Sequence, residues 1–164
     1  MKIPCLSVLQ PLADDIITGY KPVENRGWTW LKDRDWATEG PILIGIQSST
    51  NKFMWNSMGE DDQKVVCEST QTDEPEFGRV IGVVQVVNIC RPKDLPAKLK
   101  NDPYVSKNRS NWCWVLKNPE WLTKSVKSPG QARLFYVNIP DRLLSAKSLA
   151  LAKKNQEAKA KTGQ

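Results

Sequence analysis

From residue 21 to residue 28 the chain reads Lys-Pro-Val-Glu-Asn-Arg-Gly-Trp, and this short block concentrates several kinds of recognition chemistry. Lys21 is a compact cation suited to a phosphate, while Arg26 presents a planar fork for a phosphate or a base edge. Glu24 can accept a hydrogen bond from an exocyclic amine such as that of cytosine or guanine. Trp28, with Trp30 two positions on, offers ring faces for base stacking, worth about 1–3 kcal/mol per base. In an extended segment Glu24, Arg26 and Trp28 share one face, with Val23 and Asn25 on the other. Lys21, at the turn before the strand, can escape that alternation. Two readings fit the spacing. The block is a binding pocket, or Glu24 and Arg26 form a structural ion pair on a sheet wall while both tryptophans pack the core. A catalytic version makes Lys21 and Glu24 a proton-transfer pair for RNA cleavage, acting on the 2′-hydroxyl and the leaving oxygen, with Arg26 stabilising the phosphorane.

Composition narrows the chemistry further. The 164 residues contain no histidine, which excludes Ser-His-Asp and Cys-His nucleophile systems, His-ligated metals and imidazole acid-base catalysis. The four cysteines, at 5, 67, 90 and 113, form no CxxC pair, so a zinc ribbon or a thioredoxin-type redox site is disfavoured. They read as reduced thiols of a cytoplasmic protein. No apolar run approaches the length of a membrane span, and Met1-Lys2-Ile3-Pro4 lacks the apolar core of a secretory signal. The net charge of +6 is unevenly spread: residues 1–90 hold 8 basic and 13 acidic residues, residues 91–140 hold 10 and 3, and residues 141–164 hold 6 and 2. A basic second half suits a polyanion, although a solvated surface with a solubilising tail would look the same.

The elements that must position the block are mostly strands. Leu6–Leu9 is a short apolar strand, ended by Gln10-Pro11; Pro11 opens a helix through Ile17, and Gly19 closes it. Pro22 keeps the following segment extended. Ile42–Ile46 and the long β-branched run Val80–Ile89 read as buried strands, and 112–116 and 133–137 complete a set of five or six. A helix is expected over 51–67, with Met54, Met58 and Val65 on one face. The acidic stretch at 60–76 reads as a solvated loop joining two halves. Trp112 and Trp114, two apart, face the same way, as core or as a stacking platform beside Lys107-Asn108-Arg109. After Pro140, Asp141 caps a helix whose last ten or so residues are expected to fray.

Leu6-Ser7-Val8-Leu9-Gln10-Pro11, followed by Gly19-Tyr20-Lys21-Pro22-Val23-Glu24-Asn25-Arg26-Gly27-Trp28, resembles the opening signature of the ASCH family. That signature is a serine-bearing strand, a short helix, then Gly-x-Lys-x-x-Glu-x-Arg and an aromatic. Gly40–Ile44, Gly78–Val84, Trp112–Leu116 and Leu134–Val137 continue the resemblance in order, so it covers residues 5–140 and leaves the tail outside. It implies a PUA-like β-barrel and a role in RNA or other nucleic-acid transactions. Some small members hydrolyse acetylated cytidine with a threonine nucleophile three residues after the lysine. Here that position is Glu24, and a carboxylate is no simple substitute for a hydroxyl nucleophile. Other members are reported as ribonucleases. Relatives often carry histidine, alanine and serine after the third strand, whereas this chain has Gly45-Ile46-Gln47, leaving Gln47, Ser48 or Ser49 to supply any polar contact there.

The expectation is therefore an α+β, mainly β, PUA-like β-barrel of five or six strands with peripheral helices over residues 1–140, and a basic helical tail over 141–164. Its expected partner is RNA or another nucleic acid, or a free nucleotide, bound by Ser7, Gln10, Lys21, Glu24, Asn25, Arg26 and Trp28. The alternatives are a small nucleic-acid hydrolase using Lys21 and Glu24, and a protein-interaction module recruited through the tail. No cofactor, metal or membrane partner is expected.

Overall fold

In the computed structural model, which describes residues 1–163, β1 (Lys2–Val8) leads through Gln10-Pro11 into α1 (Leu12–Ile17). This helix buries Ala13, Asp14, Ile16 and Ile17, and Gly19 follows it at a φ of 88°, a left-handed conformation that glycine adopts without strain. β2 (Val23–Arg26) then runs as the extended piece that Pro22 enforces. A one-turn helix, α2 (Trp36–Glu39), is capped by Asp35, whose carboxylate accepts from the amides of Ala37 and Thr38. β3 (Ile42–Ser48) is buried along its whole length.

The helix expected over 51–67 is two helices, α3 (Phe53–Ser57) and α4 (Glu60–Thr70), because Met58 turns extended with a ψ of 146° ahead of Gly59. Val65 is exposed rather than on a packed face. The acidic stretch is only partly a loop: Glu60, Asp61 and Asp62 form the first turn of α4, where carboxylates complement the helix dipole. β4 (Arg79–Cys90), α5 (Ala97–Lys100), β5 (Trp112–Lys127), β6 (Leu134–Asn138) and α6 (Ala146–Thr162) complete the chain. β5 runs well past the expected 112–116. α6 keeps helical geometry to Thr162, so the region expected to fray is included in it.

The strands form one mixed sheet in the order β2-β5-β4-β3-β1-β6, parallel only between β1 and β3. The number of strands agrees with expectation. The closed or nearly closed barrel does not appear in the backbone pairing, where β2 and β6 remain edges. The sheet nevertheless curls strongly enough for a side chain to bridge its ends: Arg26 on β2 donates through Nη2 to the carbonyl of Ser7 on β1, 2.8 Å away. Register shifts along β4–β5 supply bends that permit this curl.

Three apolar clusters hold the fold. One lies between α1 and the concave face, with Leu6, Val8, Ile44, Val84 and the fully buried Trp114. A second lies under α6, with Ile3, Leu43, Val83, Phe135 and Ala152. The third joins β2 and β5 to the excursion after β4, through Val23, Cys113, Val115 and Leu95. The tail helix is fastened as well as packed. Ser145 and Ser148 donate to Glu120 on β5, Asn155 pairs with the Leu43 amide and the Pro41 carbonyl, and Gln156 donates to the Lys2 carbonyl. Among the described residues no helix is long and apolar enough to cross a membrane.

Candidate functional site

Alternation along β2 sorts the block as expected. Val23 turns into the third cluster, while Glu24 and Arg26 share the other face, with Arg26 Nη2 3.1 Å from Glu24 Oε2. Lys21 does escape the alternation: its Nζ lies 3.4 Å from Glu24 Oε1 and donates to the Val23 carbonyl at 2.6 Å. Two cations thus share one carboxylate. Its Oε1 also accepts the Asn25 amide at 2.9 Å. This triad is largely out of water, with Lys21 at 3% and Glu24 at 7% exposure. The Arg26 side chain is 21% exposed, making it the member a ligand reaches first.

The network continues inward. Lys21 Nζ lies 5.3 Å from the centre of the Tyr104 ring, and the Tyr104 hydroxyl donates to Asp15 Oδ2 at 2.7 Å. Burial pushes the Tyr104 phenol up to about 12, and the bond to Asp15 adds to the effect. Burial also raises Asp15, opposed by the Tyr104 bond and by the Lys21 charge. Tyr104 therefore remains a protonated donor at neutral pH.

Asn25 looks away from this triad and acts as a clamp. Its Nδ2 donates to the Tyr104 carbonyl at 2.7 Å and its Oδ1 accepts the Ser106 amide at 3.0 Å. The excursion between β4 and β5, rich in Lys and Arg, is thereby tied to the edge of the sheet, and exposed Lys107 and Arg109 follow the clamp directly. At the base of the same excursion the Arg91 guanidinium stacks 3.8 Å from the centre of the Trp112 ring, which is half-buried.

The tryptophans divide between the two roles considered for them. Trp114 is core, Trp30 stacks on it at 5.9 Å with 12° between ring planes, and Trp28 meets it edge-on at 5.2 Å and 78°. Trp28 also has the Arg133 guanidinium 5.8 Å from its centre. Its ring is thus anchored at one edge while a cation flanks it.

Ser7 contributes its carbonyl to Arg26, and its hydroxyl turns toward the loop between β5 and β6. A Cβ added at Gly130 would lie 2.8 Å from Ser7 Oγ and 2.9 Å from Gln47 Oε1, so these two oxygens converge on that backbone. Gln47 is fully buried; its Nε2 donates to the Ser128 carbonyl at 3.0 Å, while Oε1 has no partner. A buried acceptor without a donor carries a desolvation cost and marks the place where a ligand donor would be most favoured. Gln10 is different. It is fully buried, and both ends of its amide are engaged by Asp14, with a further bond to the Glu76 carbonyl. Burial pushes the Asp14 carboxyl up to about 6, against the opposing pull of the Gln10 bond.

The sequence block therefore leads to a cluster it did not contain in full. Lys21, Glu24 and Arg26 are brought together with Ser7 and Trp28. Asn25 supports the neighbouring excursion, and Gln10 pins α1. Arg133 and Gly130 were not singled out from the sequence; the Ser-Pro-Gly turn at 128–130 is the one local sign that a tight loop lies there. Burial pushes the Cys5 thiol up to about 12 and Cys90 to about 11, and raises Cys113. These thiols are poor nucleophiles at neutral pH.

No protein-family model matches the chain. Among solved structures it is similar to a protein titled ASCH from Zymomonas mobilis. A serine-to-alanine variant of that protein superposes with a TM-score of 0.50 and 12% identity over 96% of this chain and 94% of the other. A tyrosine-to-phenylalanine variant gives a TM-score of 0.50 and 12% identity over 96% of each. At such identity the likeness is one of fold, and it spans nearly the full length of both chains.

Proposed function

The chain has the ASCH-type α+β fold, and from that premise we propose that it binds single-stranded RNA, or a nucleotide within it, at the open side of Arg26. The carrying observation is the pairing of a fixed guanidinium with an anchored ring. Arg26 is held by Glu24 and the Ser7 carbonyl yet keeps an exposed portion, and Trp28 lies two residues on with Arg133 over it. A phosphate meets Arg26 and Arg133, a base stacks on Trp28, and the unpartnered Gln47 Oε1 accepts from a base or sugar donor. The curled sheet, read as an incompletely closed PUA-like barrel, provides the cleft. The basic excursion and its Lys107 and Arg109 add phosphate contacts that carry no sequence information.

Lys21 and Glu24 serve in this reading as positioning residues. Their exposures of 3% and 7% place them beneath Arg26, where they set its orientation rather than meet the reacting atoms of a substrate. The four thiols and the nucleic-acid partner fit a cytoplasmic protein. The test is a gel experiment with labelled single- and double-stranded RNA, reading both mobility and strand integrity for wild-type, Trp28→Ala and Lys21→Ala proteins. Retarded, intact single strands, with retardation weakened by Trp28→Ala, support the proposal. Cleavage abolished by Lys21→Ala in a folded protein would instead make this a ribonuclease, and absence of both would overturn nucleic-acid binding.

A further inference from the structure

On the other side of the molecule α6 does not settle flush on the sheet. Its inner face is small where it crosses the start of β1 and β3, with Ala152 and Ala158 at the surface of a groove of about 350 Å³. The size is that of a small-ligand pocket. The groove is lined by Ile3, Pro4, Ile42 and Leu43 from the sheet and by Trp30 and Leu31 from the loop after β2. Along its rim stand Lys2, Arg34, Lys154 and Lys159, against a single carboxylate, Glu39.

That carboxylate is already engaged. Glu39 Oε1 lies 3.4 Å from Arg34 Nη1 and Oε2 accepts the Asp35 amide at 2.8 Å, while Arg34 also donates to the carbonyls of Glu39 and Gly40. The three lysines therefore have no acidic partner among the described residues. Two of them crowd one ring: Lys2 Nζ lies 5.7 Å and Lys159 Nζ 4.7 Å from the centre of Tyr136, and Lys159 donates to its hydroxyl at 3.1 Å. Two ammonium groups on one aromatic ring repel each other, and an anion beside both would relieve the repulsion.

The groove is poorly equipped to read a nucleobase. Asn155 is committed to Pro41 and Leu43, Gln156 Nε2 donates to the Lys2 carbonyl, and the Thr162 hydroxyl donates to carbonyls of its own helix. An apolar body capped by one negative charge matches what remains. We propose that the groove between α6 and the β1–β3 edge binds a free anionic amphiphile, a small aliphatic or aromatic molecule whose single anionic head lies between Lys2 and Lys159 beside Tyr136. This site is independent of the Arg26 cluster, since none of Ser7, Lys21, Glu24, Arg26 and Trp28 lines the groove.

The test uses the full chain and decanoate below its micelle-forming concentration, followed by titration calorimetry. Decanol and decyltrimethylammonium serve as neutral and cationic counterparts, and vesicles of anionic phospholipid as a separate arm. Decanoate should bind one to one. Lys2→Gln combined with Lys159→Gln should weaken it about tenfold or more, leaving decanol binding unchanged. Ala158→Phe, which fills the groove from an exposed helix position, should remove both ligands while circular dichroism stays that of the wild type. Equal decanoate affinity in the lysine variant, equal binding of the cationic analogue, displacement of decanoate by single-stranded RNA, or binding to vesicles without binding of free decanoate would each overturn the proposal.

Discussion

The β2 edge and the α6 groove are both lined by cations, but their cations are in opposite circumstances. At β2, Lys21 and Arg26 converge on Glu24, and every partner distance falls at or below 3.4 Å. Under α6, Lys2 and Lys159 gather on Tyr136 with no acid to share. The first arrangement commits most of its charge to architecture and leaves one guanidinium partly free. The second commits almost none. A buried charge that is paired on all sides is a positioning device, whereas exposed like charges held together by a common ring are a standing invitation to an anion.

The comparison breaks most visibly if the shared carboxylate is removed. Glu24→Ala leaves two cations beside each other with their partner gone, one of them fully buried. The loss should be about 3–5 kcal/mol of unfolding free energy by urea titration, with Glu24→Gln intermediate. A loss below about 1 kcal/mol would mean that the triad is a surface pair in energetic terms. The Asn25 clamp comes next. Asn25→Ala deletes bonds to both Tyr104 and Ser106 and should cost about 1–3 kcal/mol. It should also speed proteolysis within the 97–111 excursion, which the clamp ties to the sheet.

Asp14, buried against Gln10 on the same side, gives the comparison a pH axis. Its carboxyl goes from the ordinary 3.8 to about 6 in the folded protein. Between those values the folded state holds a proton that the unfolded state has released, so this contribution to stability falls as pH rises and levels off above about 6.5. Two pH units correspond to about 2–3 kcal/mol. Asp14→Asn should therefore be more stable than wild type at pH 7 and flatten the difference between the two proteins below that window. A pH-independent difference would remove burial of the ionised form as the cause. The smallest effect is expected at the groove: Lys2→Gln and Lys159→Gln should each change stability by no more than about 0.5 kcal/mol, since neither lysine has an ionic partner to lose.

How far the sequence showed these regions depends on the range of the interactions that build them. β2 was legible because Pro22 forces extension and alternation then sorts Val23 from Glu24. α1 was legible between Pro11 and Gly19. The later half of β5 was not, because Lys117-Asn118-Pro119-Glu120 reads as a turn. In the fold Asn118 takes a φ of 51° at a shift in the β4–β5 register, and the strand continues past it. The break between α3 and α4 turns on the extended conformation of one residue, Met58, ahead of a glycine. The convergence of Ser7, Gln47 and Gly130 joins three distant segments, and no local periodicity could reveal it. The groove is harder still, since it exists only where small residues of α6 meet the sheet. From the sequence, Lys153-Lys154 and Lys159-Ala160-Lys161 were indistinguishable from a solubilising tail.

The account rests most on Arg26 as the exposed end of a fixed network. It is tested most directly by the anisotropy of labelled single-stranded RNA, titrated with wild-type and Arg26→Ala proteins over a range of salt concentrations. The account predicts affinity that falls steadily with salt for the wild type. For the variant it predicts weaker binding at every salt, with a log–log slope shallower by about one, corresponding to one lost phosphate contact. RNA affinity that is the same in both proteins, or that does not change with salt, would contradict it.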